Sequence, residues 1–312
     1  MKGTRPSPAT DSPYLSVKQA AQYLHLNEKK LYALAKAGAI PSTKITGKWL
    51  FPRQLVDDWV HESAHGGVLS DRLTIAGSDD PLLASAVALL AAELGDAALV
   101  SICPTGTRGG LELLSKRRVN VCGIHWGQAA NADVQHARLL RGYPGHERWA
   151  TVHMARRQQG IILAPALAKT DSLSALLKRK PRWIMRQSGA GSQHFLQNLL
   201  HESYVRIESL ERVGSALSER HAASFIARGG ADCAPGVQSA AHEFGLAFLP
   251  LGWEMFDLVV PRHIVFARLF QRLLAVLGSE RAQEIASGLQ GYDLTPLGQV
   301  LAGADDADAQ DE

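Results

Sequence analysis

Apolar positions along the chain follow one rhythm up to about residue 60 and a different one from Leu73 onward. In the first stretch, Val17, Ala20, Ala21 and Leu24 recur three and four apart, the spacing of one buried helix face. Ser16 precedes that run and Gln19 lies three residues on, the arrangement of a capping box. After a short His25-Leu26 break, Asn27 is a suitable N-cap for a second helix carrying Leu31, Leu34 and Ala35, with Gly38 and Pro41 as its stop signals. Ser42 to Phe51 reads as a β-hairpin turning at Thr46-Gly47, with Trp49 and Trp59 packed under it.

In the second stretch, short β-type runs alternate with helical ones. LTIAGS leads to a helix over Pro81 to Leu94, LVSICP to one from Thr107 to about Lys116, and VNVCGIHW supplies a third strand. ATVHMARRQQGIILAP opens a second set. It continues with a helix near 171–179, the strand RWIMRQ, a helix from about Ser192 to Glu202, the strand VRIESL and a helix over 216–228. The strands ADCAPGV, LAFLPL and FDLVVP close the set, and helices from about His263 to Leu289 return to the first. Alternation of this kind predicts a parallel-rich sheet covered on both faces and divided into two α/β lobes. The expected domains are a head over 14–62, a Gly66-Gly67 linker over 63–71 and a two-lobed domain over 72–302. Lobe 1 takes about 72–150 and 256–302, and lobe 2 takes 151–255. Residues 1–13 and the acidic 303–312 are expected to be disordered.

Composition narrows this little. The chain has 312 residues, 46% of them hydrophobic, enough for a head and a larger core. A net charge of +3 excludes a general polyanion binder. The three cysteines, Cys103, Cys122 and Cys233, lack CxxC spacing and read as buried thiols in a reducing cytoplasm. No run approaches the length of a membrane span, and the first residues lack the apolar core of a secretory signal. Both point to a soluble, cytoplasmic protein without a membrane partner.

Cations are locally dense in the head. Lys29, Lys30 and Tyr32 open the second helix, Lys36 closes it, and Lys44 and Lys48 project from the hairpin. Such a set suits phosphate and base-edge contacts to double-stranded DNA, although a helical interaction module with a solvated lysine face would carry the same pattern. The blocks YLSVKQAAQYL, LYALAKAGAIP and GKWLFPRQLVDDWV, in this order, resemble the excisionase-type, MerR-related winged helix-turn-helix. The resemblance implies DNA binding. Asn27-Glu28-Lys29-Lys30 departs from it, so no operator sequence carries over.

Three loops of small polar and glycine residues end strands of the large domain: Gly77-Ser78-Asp79-Asp80, Pro104-Thr105-Gly106-Thr107 and Arg186-Gln187-Ser188-Gly189-Ala190-Gly191-Ser192. Each alone is an ordinary capped strand-to-helix turn. Together they aim backbone N–H groups and helix N-termini at one crevice, as open α/β sheets do for ligands. LTIAGSDDPLL, GTRGGLELL, VNVCGIHW, ARRQQGIILAP, MRQSGAGSQ, GGADCAPGVQSAA, GLAFLPL, FDLVVP and GYD resemble type II periplasmic-binding-protein-like domains over about Leu73 to Asp293. The nearest resemblance is to bacterial regulators that join an excisionase-type head to a molybdate-binding-like domain. It implies that Ser78, Asp79, Thr105, Gly106, His125, Arg186, Gln187, Ser188, Gly189, Gly191 and Ser192 line an inter-lobe cleft; Thr107 adjoins them. Asp79-Asp80 and Cys233-Ala234-Pro235 depart from the relatives' pattern. His125 reads as a structural hydrogen bonder or a ligand contact, and Arg186 as an anion partner or a lobe-holding partner of Asp79 or Glu254.

Other signals carry no chemistry. His61-Glu62-Ser63-Ala64-His65 matches HExxH at the end of the head, without the long helix or third ligand of a zinc protease. GAGSQH lacks the third glycine of a dinucleotide fingerprint, and no phosphate loop or hydrolase triad is recognisable. The expectation is a non-enzymatic, one-component transcriptional regulator without cofactor or metal. It acts as a homodimer or higher oligomer and senses an oxyanion such as molybdate or a small organic acid, with a polar organic ligand bearing an amine or hydroxyl as the rival effector. An enzyme built on the same cleft, or a metallate- or cofactor-handling protein, is the alternative.

Overall fold

A computed structural model describes residues 12–37, 40–64 and 72–301, and the chain divides into two compact units between Ser70 and Asp71. Gly38, the Gly66-Gly67 linker and the acidic tail lie outside the described residues.

In the first unit, β1 (Tyr14–Ser16), β2 (Thr43–Ile45) and β3 (Lys48–Pro52) form an antiparallel sheet in the order β1-β3-β2. Helices α1 (Val17–Tyr23), α2 (Glu28–Lys36) and α3 (Arg53–Ala64) pack on it. Ser16 and Gln19 form the expected capping box, and Asn27 accepts from the Lys30 N–H at 2.7 Å. Leu15, Val17, Ala20, Leu31, Phe51 and Val56 make the core, with Trp49 and Trp59 half-buried against it. His61, Glu62, Ser63 and Ala64 of the HExxH match end helix α3, and His65 lies outside the described residues.

The second unit is organised by two long strands. β7 (Trp149–Leu163) and β11 (Ala247–Pro261) pair antiparallel along almost their whole length. LAFLPL and FDLVVP, expected as separate strands, are the two halves of β11. A register shift between Pro250 and Gly252 bends the strand without interrupting it. On the side of β11 away from β7 lies lobe 1: β6 (Val121–Ile124), β4 (Arg72–Gly77) and β5 (Leu99–Pro104), in the order β5-β4-β6-β11. The other edge of β7 is filled in turn by β13 (Val300–Leu301), β12 (Tyr292–Asp293) and β10 (Cys233–Val237), and then β8 (Arg182–Arg186) and β9 (Glu211–Ala216) complete lobe 2. The sheet is therefore mixed, parallel in each lobe's outer strands and antiparallel at the centre. The change of lobe expected near residue 151 falls inside β7, whose Val152 and Met154 pack in the lobe 1 core and whose Ile162 packs in lobe 2.

Helices cover both faces. In lobe 1, α4 (Pro81–Leu94), capped by Asp80, packs with α12 (Arg268–Leu277) and α13 (Glu280–Leu289) against β4. α5 (Gly106–Ser115) and α6 (Ala132–Leu140) cover the other face, and α11 (Arg262–Val265) follows β11. In lobe 2, Trp183 and Met185 face the layer of α7 (Leu173–Lys178) and α8 (Gly191–Glu202). Ile184 faces α9 (Glu219–Ala227) and α10 (Gln238–Glu243).

Two expectations fail for packing reasons. VRIESL is not a strand: Ile207–Ser209 is a single 3-10 turn, and the strand falls on Glu211–Ala216. Val205, Ile207 and Leu210 are apolar because they pack beneath lobe 2, whereas the edge strand is set by its ladder with β8 and leaves residues 211–215 exposed. Cys103 is exposed, unlike Cys122 and Cys233, because β5 is the outermost strand of lobe 1.

Candidate functional site

The charged centre of the second unit lies where β7 and β11 cross between lobes. Arg157 and Glu254 are opposite residues of the β7–β11 ladder, and Tyr292 of β12 is opposite Arg157 on the other side, so one rung presents all three on one face. Arg157 donates through Nη2 to Glu254 and through Nη1 to Asp80 Oδ2 at 2.9 Å. Asp80 also accepts from the Tyr292 hydroxyl at 2.7 Å and caps α4 through the Leu83 N–H at 2.7 Å. Glu254 Oε2 lies 2.5 Å from His125 Nδ1. Burial pushes the Glu254 carboxyl up, but Arg157 and His125 beside it hold it below the usual carboxylate range. The carboxylates surrounding Arg157 raise its guanidinium against the opposing effect of burial. Asp80, Arg157, Glu254 and Tyr292 are thus a hydrogen-bonded ionic frame in which only Arg157 Nε lacks a partner among the described residues.

Lobe 2 closes on this frame through its helix N-termini. Ser218 caps α9, Glu219 is the first residue of that helix, and Glu219 is 2% exposed. Its carboxylate lies 3.8 Å from Arg186 Nη1, 3.9 Å from Arg157 Nη1 and 4.0 Å from His125 Nε2. Neither oxygen accepts a hydrogen bond among the described residues. Burial consequently raises the Glu219 pKa.

The residues expected from sequence divide into three groups. Ser78, Gly106, Thr107, His125, Arg186, Gly191 and Ser192 are buried where the lobes meet. His125 sits against Gly191, at which an added Cβ would lie 2.2 Å from the His125 carbonyl oxygen. Thr107 Oγ1 donates to that oxygen at 3.3 Å. Asp79, Thr105, Gln187 and Gly189 are half-buried at the margin. Thr105 Oγ1 accepts from the Gly77 N–H at 3.1 Å, Gln187 Nε2 donates to the Leu217 carbonyl at 2.7 Å, and the Gly189 carbonyl accepts from the Arg108 N–H at 3.2 Å. Ser188 is exposed, so it does not stand with the buried hydroxyls. Arg186 pairs with neither Asp79 nor Glu254. It donates to the Ala216 and Leu217 carbonyls, to Ser192 Oγ and to Gln187 Oε1, and burial lowers its pKa.

Sequence reasoning missed Arg157, Glu219 and Tyr292 as parts of this centre. Arg157 lay inside a recognised block, ARRQQGIILAP, but a mid-strand arginine looks solvent-facing until the partner strands are known. Tyr292 had its GYD block as a signal; Glu219 had none beyond a position after a capping serine.

A second buried network supports the lobe 1 side. Asp257 accepts from His136 Nδ1 and His153 Nδ1, each at 2.7 Å, and His136 Nε2 accepts from the Trp126 N–H at 3.0 Å. The Trp126 ring stacks on His194 of lobe 2 with centroids 4.3 Å apart, and the Arg108 guanidinium lies over its ring. The bond to Asp257 raises His153 above its ordinary 6.5, whereas His136 and His153 outweigh burial to hold Asp257 below 3.8. A raised histidine stabilises fully below its unfolded value and loses that contribution as pH rises through the folded one. The depressed aspartate contributes above its unfolded value and loses this as pH falls through the folded one. Urea unfolding should therefore show stability declining from about pH 6.5 upward, and His153→Gln should abolish that slope.

In the head, Lys29, Lys30, Tyr32, Lys36, Lys44 and Lys48 are all exposed. The first four lie on α2 and the last two on the β2–β3 hairpin, where Lys44 Nζ sits 5.9 Å from the Trp49 ring centroid.

The comparisons with known proteins agree with this architecture. Residues 14–64 match a helix-turn-helix domain and residues 88–278 match the PBP superfamily domain. The uncharacterized protein YvgK of Bacillus subtilis (strain 168) is 28% identical over 166 residues, covering 53% of this chain and 52% of its own length. An uncharacterized protein in the 5' region of a ferredoxin gene of Clostridium pasteurianum is 32% identical over 80 residues, 25% of this chain and 71% of that protein. The chain thus spans about half the length of the first of these relatives. Among solved structures, a hydrogen-peroxide-bound Corynebacterium glutamicum OxyR mutant aligns with TM-score 0.52 at 16% identity, covering 88% of this chain and 89% of that one. A putative phosphate transporter substrate-binding protein from Clostridium perfringens, with bound phosphate, aligns with TM-score 0.51 at 10% identity over 72% of this chain and 100% of that one. Those likenesses establish the fold. With a two-lobed mixed sheet joined by two long strands and an excisionase-like helix-turn-helix domain preceding it, the chain belongs to the PBP superfamily.

Proposed function

We propose that the protein is a one-component transcriptional regulator. The helix-turn-helix head binds operator DNA, and the two-lobed domain binds a small effector between its lobes without catalysing its conversion. The observation that carries this reading is the pairing, in one chain, of a head exposing cations on its second helix and hairpin with a domain whose lobes meet on a buried charged centre. Regulation requires that the effector favour one lobe arrangement; a tenfold preference is about 1.4 kcal/mol of coupling. A single small head offers limited contact area, so we assign a dimer or higher oligomer that presents two heads to paired half-sites. Among the described residues no helix is long and apolar enough to cross a membrane, and the reading places the protein in the cytoplasm with the DNA.

The sequence pointed to an oxyanion such as molybdate, or to a small organic acid. Support for that class comes from helix N-termini meeting in the cleft and from the fold shared with one phosphate-bound substrate-binding protein. Against it, the Arg186 guanidinium is engaged within the protein, and four carboxylates surround the site.

Genome-wide mapping of bound DNA tests the reading, because target sites identify a regulator directly. In salt titrations of binding to a recovered fragment, Lys29→Ala and Lys48→Ala should each weaken binding and reduce the slope against log salt by about one unit. No detectable binding to any genomic fragment at low salt would remove the regulator reading.

A further inference from the structure

The hydrogen-bonding capacity left over in the cleft has a chemical bias. Buried groups there without a partner among the described residues include both oxygens of Glu219, Oε1 of Gln159 and Nε of Arg157. Gln159 lies two residues beyond Arg157 on β7, hence on the same face. The surplus is mostly acceptors. Buried polar groups are ordinarily satisfied, and a carboxylate with no donor costs the most to bury.

Charge points the same way. Arg157 is held between Asp80 and Glu254, two carboxylates, and offers no net positive charge. Arg186 faces Glu219 at 3.8 Å but spends its N–H groups on neutral acceptors. Asp79, raised by burial, adds a further carboxyl beside Ser218, and Arg220, which lowers it, is already paired with Glu243. Asp79, Asp80, Glu219 and Glu254 thus outnumber the two guanidiniums, Arg157 and Arg186, at the centre.

We propose that the cleft binds a small organic cation, a molecule bearing a protonated amine or guanidine, and that Glu219 receives its N–H donors. Gln159 Oε1 accepts a further donor. The assignment rests on reading the two lobes as an effector-binding unit. Because Glu219, His125, Arg157 and Glu254 are at most 2% exposed, the ligand enters only when the lobes part.

Calorimetric titration of the full chain with agmatine, putrescine and ethanolamine, beside sodium molybdate and phosphate, tests it. At least one amine should bind, the two oxyanions should give no heat, and Glu219→Gln should weaken the amine about tenfold or more, the worth of a hydrogen bond to a charged group. Gln159→Leu supplies the same reading if Glu219→Gln fails to fold. Oxyanion heat without amine heat, an amine affinity unchanged in the variants, or no amine response at millimolar concentration overturns the proposal. Operator binding is measured separately. An amine response without DNA binding would leave the ligand class standing and remove the regulator, and the opposite pair of results would do the reverse.

Discussion

Replacing Arg157 with methionine should destabilise the large domain by about 3–5 kcal/mol in urea unfolding of the full chain. Methionine fills much of the space but leaves Asp80 and Glu254 buried with one partner fewer each, and both are wholly inaccessible. The loss measures uncompensated carboxylates rather than the worth of the ion pairs, since taking paired charges out of water is itself unfavourable. A triple variant, Arg157→Met with Asp80→Asn and Glu254→Gln, should therefore recover most of the lost stability, because an asparagine side chain can still cap α4. A single variant as stable as the wild type would show that the frame contributes nothing to folding.

Gly191→Ala should hold the lobes apart. The added methyl would lie 2.2 Å from the His125 carbonyl oxygen and 2.7 Å from its ring Cε1. Neither can retreat easily, because Thr107 binds that oxygen and Glu254 holds the ring. Overpacking of this kind costs about 1–3 kcal/mol where the structure must absorb it. Here part of the strain is relieved by parting the lobes, so small-angle scattering should show a larger radius of gyration than for the wild type. Gly288→Ala is the control: its Cβ meets nothing within 4 Å on α13, and removing a helical glycine should be neutral or mildly stabilising. Identical scattering from Gly191→Ala and the wild type would show that the contact does not govern closure.

The two helices and the hairpin of the head were legible because their determinants are local, whereas β1 and α3 were not expected from the pattern. A capping box, an Asn cap and the Thr46-Gly47 turn each act within a few positions, and each appears where the pattern placed it. Helix α4 matched its expected limits for the same reason, being bounded by Asp80-Pro81 and Gly95. The crossing strands were harder. Pro250 and Gly252 look like a break in isolation, yet the ladder with β7 carries β11 through them. The charged centre was hardest, since Arg157, Glu254 and Tyr292 become neighbours only when three distant segments share a rung. The glycine and serine loops located the cleft, but not which of their hydroxyls the fold itself consumes.

That shared rung has a mechanical consequence. The chain passes into lobe 2 beyond Arg156 and comes back at Met255, its direct ladder partner. Lobe 2 is therefore topologically a large excursion from one two-stranded ribbon. A rotation of the lobes of the kind proposed would be torsion of that ribbon rather than sliding between separate bodies, and Arg157 and Glu254 occupy the next rung. A molecule that alters the charge balance there acts at the fulcrum, where a small change in backbone twist is multiplied by the full length of both lobes.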